Sequence, residues 1–119
     1  MSEDHTEFSL VQLQQAVRAA ALPADQQLQC FPSNCDVTFE IADDFANWCR
    51  WALAGYMAPA LTNQQRSSLL ALEARLNRMS GQHNAALWTD DALRSHPEWA
   101  AVREEAQQTL MAFGWPLSE

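Results

Sequence analysis

The strongest constraint on the fold is a helix near the end of the chain, because both of its ends are encoded in the sequence. Apolar residues recur at helical spacing from Trp99 to Phe113 and so fall on one face. Pro97 suits the first turn of a helix, where its missing N–H is harmless. Gly114 favours a left-handed C-terminal residue, and Pro116 prevents the helix from continuing. The pattern predicts one complete amphipathic helix.

Two pairs of residues have the spacing of a capping box, in which a hydroxyl and a side chain three positions later bond each other's backbone N–H. Ser95 and Glu98 form the first pair, just before the helix described above. Thr62 and Gln65 form the second and predict the start of another helix. Gly81 is placed to end that helix in a left-handed conformation.

Two more amphipathic stripes predict helices earlier in the chain. One covers residues 7–22 and is followed, after Pro23, by a short helical segment. The other begins at Asp43 and points Cys49 into the core. Residues 1–6 are expected to form a disordered tail, and residues 7–119 a single helical domain.

Between these helices, Val37, Phe39 and Ile41 alternate with polar residues in a strand-like pattern. A single strand cannot satisfy its own backbone hydrogen bonds, so the segment is expected to be an extended connector or an edge that pairs with another chain. The predicted fold class is therefore all-α: a compact single-domain bundle of about four to five helices with one extended connector at about residues 31–42.

The charge is strongly one-sided, with 15 Asp and Glu residues against 7 arginines, no lysine and a net charge of −8. Nucleic-acid binding depends on basic residues that displace counterions, and anionic membranes also attract basic segments. We therefore expect neither a nucleic-acid nor a membrane partner, whereas a basic protein partner suits this charge. The use of arginine alone is typical of a GC-rich bacterial genome.

Targeting signals are not evident in the sequence. The N-terminus begins with acidic residues rather than the basic region of a secretory signal. No apolar run approaches the roughly 20 residues that cross a bilayer. We therefore expect a cytoplasmic protein with reduced thiols.

The segment CFPSNC places Cys30 and Cys35 around a proline, with Cys49 further along the chain. A metal site would need a second pair of Cys or His ligands, which the spacing does not supply. A Cys30–Cys35 redox pair is an alternative, although redox catalysts favour two intervening residues. The interpretation we favour is a turn with two small apolar thiols. No metal and no cofactor is expected.

Acidic doublets at 43–44, 90–91 and 104–105 invite a catalytic interpretation. Neighbouring residues on a helix point about 100° apart, so a doublet cannot form one paired site. We expect the first two doublets to lie in the first turns of helices, where negative charge complements the helix dipole. No catalytic residues are predicted, and the chain is not expected to be an enzyme.

Tryptophan is unusually frequent, with 5 in this chain. Several large apolar residues fall at the edges of their stripes or outside them, which is typical either of helices buried on two sides or of an exposed interaction patch. The residues of this possible patch are Phe8, Val11, Arg50, Trp51, Leu70 and Trp88. An alternative is an apolar pocket lined by Trp48, Trp51 and Tyr56.

Three functions from different classes remain open. The first is a non-enzymatic protein-binding module, such as an adaptor, inhibitor or immunity-type protein, that engages a basic partner or forms a homodimer. The second is a helical bundle that binds a small ligand in the tryptophan-lined pocket. The third is a redox sensor that uses Cys30 and Cys35.

Overall fold

Helices account for most of the chain in a computed structural model that describes residues 2–32, 34–55 and 58–117, with side chains from residue 8 onward. The α-helices are α1 (Ser2–Ala21), α2 (Ala24–Gln29), α3 (Val37–Ala54), α4 (Asn63–Arg78), α5 (Asp90–Ser95) and α6 (Pro97–Phe113). Two 3-10 segments, Ala58–Ala60 and Gln82–Leu87, lie on either side of α4. The described residues contain no strand, and the predicted all-α fold is confirmed.

Four long helices form the bundle. Helix α1 packs against α3 and α6, and α4 packs against α6 and, less extensively, α3. The short helices α2 and α5 contact each other, and α5 also contacts α3 and α6. The largest fully buried side chains are Trp99, Phe45, Leu13, Ile41, Leu69, Leu72, Met79, Leu93, Leu110, Gln27, Val17 and Val102.

Helix α3 begins at Val37, so the predicted extended connector at residues 31–42 is wrong over its second half. The Asp36 carboxylate accepts a hydrogen bond from the Phe39 N–H and caps the helix. Val37 and Ile41 are one helical turn apart and are both buried. Burial on the helix face and the cap outweigh the strand preference of β-branched residues, which amounts to only a few tenths of a kcal/mol.

The two predicted capping boxes have different outcomes. The Thr62–Gln65 box is confirmed, with both reciprocal hydrogen bonds present. The Ser95–Glu98 box is wrong, because Ser95 is the last residue of α5 and its hydroxyl donates to the Asp91 carbonyl. His96 caps α6 instead, with Nδ1 accepting from the Glu98 N–H at 3.1 Å.

The two glycines that are predicted to end helices also have different outcomes. Gly114 has φ 71° and ψ 23°, which confirms the left-handed end of α6. Gly81 has a positive φ of 109° but an extended ψ of 157°, and it precedes the second 3-10 segment. Helix α4 has already ended at Arg78, so Gly81 starts the following segment rather than closing the helix.

Helix α1 differs from its prediction at its N-terminus. It begins at Ser2 rather than at residue 7; Met1 lies outside the described residues, and the expected disorder of residues 1–6 stays a prediction. At its other end, the buried Gln27 amide donates to the Ala19 and Ala20 carbonyls at 2.9 and 3.1 Å. These bonds satisfy carbonyls that a helix C-terminus leaves unpaired. No described helix is both long and apolar enough to span a membrane.

Candidate functional site

A groove of about 390 Å³ lies between α3 and α4 and is mostly apolar. Phe45 and Leu76 are core residues that also line it, so its base is continuous with the core. Phe39 and Trp88 add aromatic surface, while Asp43 and Glu73 contribute carboxylates. An apolar cleft with a few charged groups is the usual form of a binding site.

Phe39 is the most exposed aromatic residue of this groove, at 57%. The cap at Asp36 fixes the helical register that turns Val37 and Ile41 inward. Phe39 therefore points away from the core, at the edge of the groove. Sequence reasoning missed the groove because it predicted that this segment was extended. The four-residue spacing of Val37, Ile41 and Phe45 after an Asp was the signal that could have revealed it.

Trp88 also lines the groove and is held in a fixed position. Its indole N–H donates to the Met79 carbonyl at 2.8 Å, and its ring meets Trp99 edge-on at 5.4 Å between centroids. Trp99 is buried and donates its own N–H to the Leu87 carbonyl at 2.6 Å. A half-buried indole with its polar atom satisfied gives the groove a preformed aromatic wall.

The Glu73 carboxylate lies between the groove and the buried Cys49 thiol. Burial, and then the charge and hydrogen bonding of Glu73, together raise the pKa of Cys49 to about 12. The thiol is also within 3.9 Å of the Leu69 carbonyl, to which it can donate. Because the thiolate is the reactive form of cysteine, Cys49 is chemically inert at neutral pH.

Asp43 and Asp44 point to different places, as expected for helix neighbours. Asp43 is exposed and lines the groove. Asp44 lines a second cleft beside Trp48, and its pKa is raised by burial and then by the charge of Asp43. The prediction that this doublet lies in a first helical turn is wrong, because α3 begins at Val37.

The other two doublets lie in α5 and α6. Asp90 and Asp91 occupy the first turn of α5, behind the Thr89 cap, so that part of the prediction is confirmed. Glu105 accepts a hydrogen bond from Arg75 at 2.8 Å, which ties α6 to α4. Glu104 is exposed.

An aromatic chain joins α1 to α3 and contains part of the predicted patch. Phe8 meets Trp48 edge-on at 6.3 Å, and Trp48 meets Trp51 edge-on at 6.4 Å. Phe8 and Val11 are exposed at 60% and 45%. Trp51 is half-buried and packs against the core, with the exposed Arg50 beside it in the sequence.

The remaining patch residues lie on other elements. Leu70 is exposed on α4. Trp88 lines the α3–α4 groove and packs against Trp99, so it belongs to a different site from the aromatic chain. The structure therefore places Trp88 in the groove, Phe8 and Trp51 in the aromatic chain, and Leu70 on α4.

The predicted tryptophan pocket is described only in part, because Tyr56 lies outside the described residues. Trp48 and Trp51 contact each other through their ring edges. Trp48 also lines the second cleft, about 370 Å³ in volume, together with Cys30 and Phe31. The cleft lies beside α1, and Trp51 is not among the residues that line it.

The CFPSNC segment forms a turn in which the Cys35 N–H donates to the Pro32 carbonyl at 3.0 Å. Cys30 is exposed and Cys35 half-buried, and both thiols are free. Ser33 lies outside the described residues. Within the described part of the chain, no group of three or more His, Cys, Asp or Glu side chains is placed to hold a metal ion.

Comparison with known proteins gives no relative for this arrangement. No protein-family model matches the chain, and neither does any curated protein or solved structure at a significant level.

Proposed function

We propose that this protein is a non-catalytic protein-binding module whose α3–α4 groove binds a basic segment of a partner protein. The observation that carries the proposal is the position of Asp43 and Glu73 beside the aromatic residues Phe39 and Trp88 in one groove. Apolar walls bury a large side chain of the partner, which supplies most of the affinity. The carboxylates attract an adjacent Arg or Lys and so provide specificity.

The overall charge supports the same class of partner. A net charge of −8 attracts a basic protein over long range and accelerates encounter. Binding of this kind weakens as salt concentration rises. The same charge disfavours nucleic acids and anionic membranes as partners.

We assign the protein to the cytoplasm as part of this proposal. All three cysteines are free, which is the usual state in a reducing compartment. The high pKa of Cys49 supports a structural role for that thiol rather than a catalytic one.

A small ligand is the second candidate occupant of the groove. Its volume of about 390 Å³ falls within the range of small-molecule pockets. A small molecule with an apolar body and one positive charge would contact both the aromatic walls and the carboxylates. The redox alternative depends on the free thiols of Cys30 and Cys35, which lie away from this groove.

Selection from a random peptide display library tests the proposal directly. Peptides are selected on the immobilised full chain and counter-selected on a Phe39→Ser variant. We expect enriched sequences in which a large apolar residue is flanked by Arg or Lys. Enrichment without basic residues, or no enriched sequence left after counter-selection on Phe39→Ser, would contradict the proposal.

Charge variants then test the role of the groove carboxylates. We expect Asp43→Asn to weaken the selected peptide several-fold and to reduce the salt dependence of binding. Asp90→Asn is the matched control, because Asp90 is an exposed aspartate in the first turn of α5 and does not line the groove. An equal loss in both variants would indicate only a general charge effect and would overturn the assignment of the groove.

A further inference from the structure

The carboxylates of this acidic chain are distributed unevenly. Neither residues 8–24 nor residues 45–72 contain a single Asp or Glu. The charged residues of these two segments are Arg18, Arg50 and Arg66. A chain with net charge −8 therefore has two long segments that carry only positive charge.

The fold brings these two segments together. Residues 8–21 belong to α1, residues 45–54 belong to α3, and the two helices pack against each other. At this contact Phe8 of α1 meets Trp48 of α3 edge-on, and within α3 Trp48 meets Trp51 edge-on. Phe8, Val11, Trp48 and Trp51 are here called the α1–α3 face.

This face combines exposed apolar surface with aromatic residues that pack on the core. Phe8 and Val11 are 60% and 45% exposed, whereas Trp48 and Trp51 are half-buried against the core. Arg50 is exposed beside Trp51 in the sequence. Aromatic residues and arginine are the residue types enriched at the centres of protein interfaces.

We propose that two copies of this chain associate through the α1–α3 face. Two copies of an acidic chain repel each other wherever their carboxylates meet. The four residues of the α1–α3 face belong to the segments 8–24 and 45–72, which contain no Asp or Glu. A two-fold pair places the same patch of each copy against the other, so the apolar surface of one copy meets that of the other. A basic partner would instead prefer the surface that carries Asp43 and Glu73.

A carboxylate borders the face in each copy, because Asp44 lines the second cleft together with Trp48. Salt screens the repulsion between these groups, and between the two copies as wholes. Self-association should therefore strengthen as salt concentration rises. Binding of a basic partner in the α3–α4 groove should weaken, so the salt dependence distinguishes the two surfaces.

Sedimentation equilibrium of the full chain tests the proposal, from micromolar to near-millimolar concentration at low and high salt. We expect a reversible monomer–dimer equilibrium whose Kd decreases at high salt. Phe8→Glu should raise that Kd roughly tenfold or more, because it removes an anchor and introduces a carboxylate on each side. A chain that stays monomeric at every concentration and salt level would overturn the proposal.

Two further variants keep the test decisive. Met111→Glu is the matched control, because Met111 is 77% exposed on α6, outside the face. Val11→Glu serves as a second face variant, and circular dichroism checks that each variant folds. The proposal requires that Val11→Glu raises the Kd and Met111→Glu does not. A dimer that survives both face variants, or is lost in Met111→Glu, would contradict it, and neither result affects the groove.

Discussion

The Asp36 carboxylate accepts a hydrogen bond from the Phe39 backbone N–H at 3.3 Å. The same carboxylate also accepts one from the buried Thr38 hydroxyl at 2.8 Å. These two bonds fix the start of α3 and hence the register in which Val37 and Ile41 turn toward the core. Because Phe39 is then left at the edge of the α3–α4 groove, one cap connects the fold to the candidate binding site.

Loss of the Asp36 cap should destabilise the protein measurably. We expect Asp36→Ala to lower the free energy of unfolding by about 1 kcal/mol, as is typical when an N-cap side chain is removed. Asp36→Asn keeps a capping oxygen and should have a much smaller effect. Urea denaturation followed by circular dichroism measures both variants. Equal stability of Asp36→Ala and the wild type would show that the cap does not hold α3 in place.

Much of the fold could be predicted from the sequence, because most helix ends carry local signals. Thr62 and Thr89 cap the starts of α4 and α5, and Gly114 ends α6 in a left-handed conformation, as the sequence predicts. The sequence does not reveal the start of α3, because Val37, Phe39 and Ile41 fit a period of two, whereas Val37 and Ile41 also fit a period of four. Only burial by neighbouring helices decides between those periods, and that information is not local.

The candidate site was harder to predict than the fold. The sequence identified Phe8, Val11 and Trp51 as residues outside or at the edge of their stripes. It could not show that Trp88 faces the α3–α4 groove, since that depends on a hydrogen bond to the Met79 carbonyl and on contact with Trp99. Glu73 has no other acidic residue near it in the sequence, so no motif indicates a role for it. Only the packing of the helices places it beside Cys49 and the groove.

Truncation of Phe8 and of Trp99 should separate surface from core. Phe8→Ala should lower the free energy of unfolding by about 1 kcal/mol or less, because Phe8 is mostly exposed. Trp99→Ala should lower it by about 3–5 kcal/mol, since it opens a cavity and leaves the Leu87 carbonyl without its donor. Calorimetry of thermal unfolding measures the stability of both variants. A large loss in Phe8→Ala would mean that this side chain belongs to the core.

The Cys49 thiol should make stability depend on pH in the alkaline range. Its pKa is raised from 9.0 to about 12, so the folded state holds the proton more tightly than the unfolded state. The stability that this group contributes is fully present below pH 9.0 and is lost as the pH rises toward about 12. The loss reaches at most about 1.4 kcal/mol per pH unit for one proton.

Comparison with Cys49→Ala isolates this effect from the titration of other groups. The free energy of unfolding of each protein is measured by urea denaturation from neutral pH to the highest pH at which unfolding is reversible. The wild type should lose stability more steeply than Cys49→Ala above pH 9.0. Parallel curves would show that the folded state does not hold the Cys49 proton.

Arg75 should contribute to stability because it joins α4 to α6. Its guanidinium donates to Glu105 at 2.8 Å and to Glu98 at 3.3 Å, and the hydrogen bond to Glu105 raises the pKa of Arg75. Arg75→Met leaves the half-buried Glu105 carboxylate without this partner and should lower the free energy of unfolding by about 1–3 kcal/mol.

Arg78→Met is the matched control, because Arg78 is exposed one turn further along the same helix. It should change stability by no more than about 0.5 kcal/mol. If Glu105→Gln is then introduced into the Arg75→Met background, the uncompensated charge disappears and part of the stability should return. Additive losses in the double variant would show that Arg75 and Glu105 act independently.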